Sequence, residues 1–164
     1  MGAASQPGRD TAAAGALPRP PFLYLGCLNL GLVLNHVWPL PLTLPETALV
    51  RGTAGGGLIL FGVAIVAAGI RNFARAATPM PSNQPVRALV TTGIHGWSRN
   101  PIYVGMCLLY VGIGLAAHSL WVLVLTLPLA VTLRYGVVAR EEAYLERRFG
   151  DAYLDYRARV RRWL

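Results

Sequence analysis

The chain has 164 residues, of which 54% are hydrophobic and only 13% charged, with a formal net charge of +8. A soluble domain usually carries about 25% charged residues, so much of this surface faces something other than water. The positive charge does not point to nucleic acid: all 15 basic residues are arginines, they flank apolar runs, and no basic–aromatic motif accompanies them.

Residues 1–20 are rich in Ala, Gly, Pro and Ser without periodicity, and read as a disordered tail. No cleavage site of the A-x-A kind follows the first apolar run, so a signal peptide is not expected. Residues 21–164 read as one membrane domain with four apolar spans, at about 22–38, 53–70, 101–117 and 119–138. The last two share an uncharged run from Asn100 to Leu133. One span needs about 20 residues, so the run is divided at Ala116–Ser119, leaving His118 at the surface. Pro128 is expected to kink the fourth span. The expected class is therefore all-α: a polytopic membrane bundle of about four transmembrane helices.

Glycines set the packing. Gly55, Gly62 and Gly69 recur every seven residues in the second span, as do Gly105 and Gly112 in the third. Small residues on one face let helix backbones approach closely in lipid. Asn29 and Asn35 in the first span are expected to bond between helices. Cys27 and Cys107 both lie in apolar runs and suggest buried thiols rather than a disulfide framework.

The segment Arg71–Arg99 carries four arginines and no acid, and the stretch from Arg134 onward carries eight arginines against five acids. Cytoplasmic loops of membrane proteins are enriched in this way. Four spans put both segments, and both termini, on the cytoplasmic side. Residues 139–164 read as C-terminal interfacial helices, broken at Gly150, with Asp151 capping the last. Tyr153, Tyr156, Val160 and Trp163 fall at helical spacing and give that last helix an apolar face for the bilayer or the bundle.

Chemistry concentrates in the loop before the third span. Pro79, Pro81 and Pro85 exclude a regular helix there. Thr91, Thr92, His95, Ser98, Arg99 and Asn100 then crowd the mouth of that span, with Pro101 suited to its first turn. No acid occurs between Glu46 and Glu141, and the hairpin returns the pair Glu141 and Glu142 to the side that holds Arg99. Opposed arginine and carboxylates beside a dry pocket suit a zwitterion; equally, they can be interfacial charges balancing one another. No metal-ligand spacing is present. A proton-coupled transporter generally needs a carboxylate within a span, and the four spans hold none.

From Leu89 onward the chain resembles the isoprenylcysteine carboxyl methyltransferase family and its phospholipid methyltransferase relatives. The matching residues are Leu89-Val-Thr-Thr-Gly-Ile-His95, Arg99-Asn-Pro-Ile-Tyr-Val-Gly105, Arg140-Glu-Glu-Ala-Tyr-Leu145, Phe149-Gly150, Tyr153, Tyr156 and Val160. The resemblance implies an enzyme dependent on S-adenosylmethionine. It implies a cofactor site built from Arg87, Ala88, Leu89, Val90, His95, Asn100, Pro101, Ile102 and Tyr103. Arg99, Glu141 and Glu142 are the implied catalytic residues, with Glu141 also meeting the substrate. His95 stands where the family often has tyrosine, and Asn100 where eukaryotic members have histidine. Val137 replaces a substrate-binding arginine of the eukaryotic enzymes, which leaves Arg134 or Arg140 as substitutes. Arg134 and Glu141 would share a face two α-helical turns apart. The acceptor implied is lipophilic or small and apolar: an isoprenylcysteine carboxylate, a phospholipid amine or a thiol. The Lys-free, Ala/Arg/Gly-rich composition looks bacterial, which points to an inner membrane. A non-catalytic membrane interaction protein of the same fold is the other reading.

Overall fold

The computed structural model describes residues 20–42, 47–80 and 86–164. The expected tail lies outside the described residues except for Pro20, which opens the first helix. Helix α1 is Pro20–Val37, α2 is Ala48–Arg75, α3 is Pro101–Ala116 and α4 is Leu120–Thr132. A π-helical segment, Leu133–Val138, carries α4 directly into α5, Ala139–Phe149, and α6 is Asp151–Arg159. No strand occurs among the described residues.

Two of these helices are long and apolar enough to cross a membrane: α2, and the continuous helix Leu120–Phe149. Their outward faces leave Leu60, Phe61, Leu127 and Val131 exposed, and α1 does the same with Leu25, Leu30 and Val33. Apolar exposure on this scale marks a surface that a membrane or another protein covers.

The glycine spacing becomes backbone contact between α2 and α3, which form the most extensive helix pair. A Cβ on Gly62 would lie 2.5 Å from the Gly105 carbonyl oxygen, and one on Gly105 would lie 2.7 Å from that of Gly62. Gly55 and Gly112 repeat the arrangement at 2.7 Å in both directions. On the other side of α3, Tyr24 of α1 donates to the Tyr103 carbonyl (3.2 Å) and meets Cys107 Sγ (3.3 Å). Tyr24, Tyr110, Val122, Leu129 and Leu133 form the buried core between α1, α3 and α4.

Helix ends follow local chemistry. Thr47 caps α2 by accepting from Val50 N, and Ser119 caps α4 by accepting from Val122 N. The turn between α3 and α4 falls where the sequence placed it, with His118 at φ +49°. Gly150 stops α5 at φ +53°, ψ −127°, a backbone that only glycine adopts readily.

Two expectations, on Asp151 and Asn29, are corrected, and others gain detail. The second helix, Ala48–Arg75, contains the expected span 53–70 and continues past both Arg51 and Arg71. The first C-terminal helix begins at Ala139 and ends before Gly150, and the π segment joins it to α4 without a break. Asp151 is not a cap: Gly150 occupies that position, and Asp151 is the first helical residue. Asn29 bonds within its own helix, to the Leu25 carbonyl at 2.9 Å. Of the two surroundings expected for the aromatic face of the last helix, the bundle is the one seen: Tyr153, Tyr156 and Val160 are buried against Leu89, Leu145 and Phe149.

Candidate functional site

Most of the buried polar side chains gather at one end of the bundle: Thr78, His95, Ser98, Asn100 and Glu142. The segment between α2 and α3 brings the first four there, α5 brings Glu142, and three sets of hydrogen bonds fix the path of that segment. Thr78 Oγ1 accepts from Arg87 N (2.8 Å) and Ala88 N (3.4 Å), while the Tyr144 hydroxyl accepts from Val86 N (3.1 Å). A single 3-10 turn, Gly93–Gly96, then presents His95, whose carbonyl accepts from the Tyr156 hydroxyl at 2.7 Å. Finally the C-terminal residues strap the approach to α3. The Arg161 carbonyl accepts from Arg99 N (2.9 Å), and the Arg162 carbonyl accepts from Ser98 Oγ (3.3 Å) and Asn100 Nδ2 (3.1 Å).

A cavity of about 740 Å³ opens between this loop and the helices. Every cofactor position named above except Arg87 lines it, as do Arg99, Glu141 and Glu142. Its other end is apolar, with Phe22 from α1, Val63, Val66 and Ala67 from α2, and Met106 and Leu109 from α3.

The two glutamates differ in role. Glu142 is held by Arg162 through Nε (2.9 and 3.0 Å) and Nη2 (2.6 Å), and by Arg99 Nη2 at 3.4 Å. Its carboxylate is thus committed to two guanidinium groups. Glu141 pairs with no arginine among the described residues; its Oε1 accepts from the Tyr103 hydroxyl at 2.9 Å. Burial pushes its carboxyl up to about 7, the Tyr103 hydrogen bond pulls the other way, and the Glu142 charge adds to the rise. A carboxyl poised near neutrality is suited to moving protons. Burial has the opposite effect on His95, holding its imidazole down at about 4 and therefore neutral at pH 7.

Arg99 is the buried arginine of the cavity. Its side chain is 9% exposed, and Nε and Nη1 make no well-aligned hydrogen bond among the described residues, although the Tyr153 hydroxyl is close enough to feel the charge. It stands beside the N-terminus of α3, where Pro101 follows Asn100 and no side-chain cap is made. Unpaired backbone N–H groups and a buried guanidinium together favour a carboxylate or phosphate oxygen.

Three expected site residues lie elsewhere. Arg87 contributes its backbone to the loop, while its side chain is exposed. Arg140 is exposed, and Arg134 lies over the Tyr135 ring, 5.1 Å from its centroid. Neither lines the cavity. The alignment of Arg134 with Glu141 assumed α-helical turns, but the π segment between them holds more residues per turn and rotates the register. The sequence reading in turn missed Asn72, Tyr144 and Arg162. Asn72 and Tyr144 carry no charge, and Arg162 sits 20 residues from its partner, Glu142.

The sequence profile of the phospholipid methyltransferase family matches residues 50–152. That is more than half the chain, and the chain belongs to this family of membrane methyltransferases, in keeping with the resemblance carried by the motifs from Leu89 onward. An uncharacterized protein of Haemophilus influenzae is 63% identical over 27 residues, which are 16% of this chain and 43% of that protein. The chain therefore spans less than half the length of the curated relative it matches. No solved structure matches it.

Proposed function

We propose that the chain is an integral membrane enzyme that moves a methyl group from S-adenosylmethionine to a lipophilic or small apolar acceptor. The observation that supports this reading best is the make-up of one cavity. Its polar end, with His95, Arg99 and Glu141, runs into apolar walls drawn from α1, α2 and α3. A charged donor and an acceptor with an apolar body meet where two such surfaces join.

The residues present fit the donor. The cavity volume lies in the range of about 300–1,000 Å³ typical of small-molecule sites. Arg99 Nε and Nη1, buried and without a well-aligned hydrogen bond among the described residues, suit its carboxylate. Residues 88–90, His95 and 100–103 would surround the rest. When bound, the sulfonium supplies an already activated methyl group. The protein's own work is positioning and exclusion of water. Tyr103 fixes Glu141 through Oε1, which leaves Oε2 to take a proton from the acceptor. The acceptor reaches the cavity from the bilayer, sliding between α1 and α2 over the face of α3.

In this reading residues 21–164 form one unit with four spans in a bacterial inner membrane, both termini and the site being cytoplasmic. The arginine-rich loop and tail support that orientation. At 18 and 16 residues, α1 and α3 are short for a span, which a locally thinned bilayer accommodates.

The test is calorimetry of S-adenosylmethionine with protein in detergent and in lipid nanodiscs, followed by mass spectrometry of methyl transfer to a bacterial lipid extract. Saturable binding with methylated lipid supports the reading. Absence of binding in both environments would reject it and favour a non-catalytic membrane protein of the same fold.

A further inference from the structure

Asn72, in the last turns of α2, has no part in the reading above, yet it makes the most constrained polar contact in the site. Its Nδ2 lies 2.7 Å from the Thr92 carbonyl oxygen and 3.3 Å from His95 Nδ1. A carbonyl oxygen can only accept, so the atom facing it must be the amide nitrogen; reversing the amide would set two acceptors against each other. That same nitrogen carries a second hydrogen, and it meets His95 Nδ1. For the contact to be a hydrogen bond, Nδ1 must offer a lone pair. A proton on Nδ1 would instead oppose two N–H groups.

Other contacts hold His95 against Asn72. The Phe73 ring meets it edge-on at 4.9 Å, the Tyr156 hydroxyl holds its carbonyl, and its backbone N donates to the same Thr92 oxygen (3.2 Å). Gly93 lets Asn72 come close: it adopts φ +58°, and a Cβ there would lie 2.6 Å from Asn72 Nδ2. The imidazole is held neutral by burial, so it has one ring proton to place.

We infer that Asn72 is a positioning residue that fixes His95 as the neutral tautomer protonated on Nε2, making it a hydrogen-bond donor in the cavity wall. His95 lines the cavity, and no group among the described residues engages Nε2. The matching ligand atom is an acceptor: a carboxylate oxygen, a hydroxyl oxygen or an unprotonated ring nitrogen. A ligand offering only N–H at this point would be refused. The tautomer stands on the protein's own hydrogen bonds; only the donor's use toward a bound ligand rests on the methyltransferase reading.

The experiment is two-bond proton–nitrogen correlation NMR on ligand-free protein labelled with 15N-histidine in detergent at pH 7. Loss of one signal set in His95→Gln assigns it against those of His36 and His118. An unprotonated Nδ1 with a protonated Nε2 is expected for His95; a protonated Nδ1, or an averaged mixture, would overturn the inference whether or not the protein binds S-adenosylmethionine. In Asn72→Asp, where a carboxylate can only accept, the proton is expected to move to Nδ1. In Asn72→Leu the two tautomers should mix, and an undisturbed Nε2–H form there would remove Asn72 from the role. The unmodified protein answers the first question even if both variants fail to fold.

Discussion

The Tyr103 hydroxyl donates to Glu141 Oε1 at 2.9 Å, so the first turn of α3 grips the first turn of α5 at a carboxylate whose proton affinity burial raises. If Glu141 is the base, kcat/KM rises with pH along a limb near 7, where its carboxyl titrates. The hydrogen bond favours the charged form, so Tyr103→Phe should move that limb to higher pH. Glu141→Ala should lower turnover by about 10²–10⁴-fold, the usual yield of general base catalysis, with cofactor affinity kept. A profile unaffected by either change would take the proton transfer away from Glu141.

The same shift has a consequence for stability. The folded state holds the Glu141 proton more tightly than the unfolded chain, whose carboxyl titrates near 4.5. Stability from this group is therefore present at low pH and declines as pH climbs from about 4.5 through about 7. Glu141→Gln should flatten that decline in thermal unfolding followed across the range, and an unchanged slope would assign it to another group.

Arg162 ties the C-terminal strap to the site through Glu142 and, by its carbonyl, through Ser98 and Asn100. Arg162→Ala removes the two-pronged pairing and leaves a buried carboxylate with Arg99 alone at 3.4 Å. Losing hydrogen bonds to a charged group costs about 1.5–3 kcal/mol; with Arg162 29% exposed, the lower end is expected. The loop 98–100 should also exchange its amide hydrogens faster. Unaltered exchange there would show that the strap's backbone suffices.

What could be read from the sequence, and what could not, divides along physical lines. The seven-residue glycine spacing specified which faces of α2 and α3 meet, because only those positions allow carbonyl oxygens so close. The family resemblance carried by the motif from Leu89 to Tyr103 named residues that line the cavity, because the matching motif is continuous along the chain. Contacts between distant, uncharged or register-shifted residues were invisible. Asn72 reaches Thr92, 20 positions further along the chain, and the Leu133–Val138 π segment has no residue signature. Arg134 was misplaced for that reason: α-helical periodicity was applied through turns that are not α-helical.

The glycine pairs give a sharp stability test. Gly62→Ala forces a methyl to within 2.5 Å of the Gly105 carbonyl oxygen and 2.8 Å of Leu109 N. Backbone cannot yield as a flexible side chain does, so the helices must part, at a cost of about 1–3 kcal/mol. Gly57 is the control, since a Cβ there meets nothing within 4 Å. Gly57→Ala should be neutral or stabilising by up to ~1 kcal/mol, the helix-propensity difference. Equal melting temperatures for the two variants would mean that α2 and α3 do not pack through glycine.

Arg99 separates charge from geometry. Its Nε and Nη1 are buried without a well-aligned hydrogen bond among the described residues, while Nη2 lies 3.4 Å from Glu142. Arg99→Lys keeps a positive charge near Glu142 but loses the planar fork that meets a carboxylate with two parallel bonds. If the fork holds the cofactor's carboxylate, the lysine variant should bind S-adenosylmethionine about 10- to 100-fold more weakly, matching the loss of hydrogen bonds to a charged group. Its thermal stability should change little, because the pairing with Glu142 survives in reduced form. A decarboxylated cofactor analogue would then bind wild type and variant alike. Should the lysine variant bind S-adenosylmethionine normally, the guanidinium serves Glu142 and not the ligand, and the anion site must be sought at the N-terminus of α3 alone.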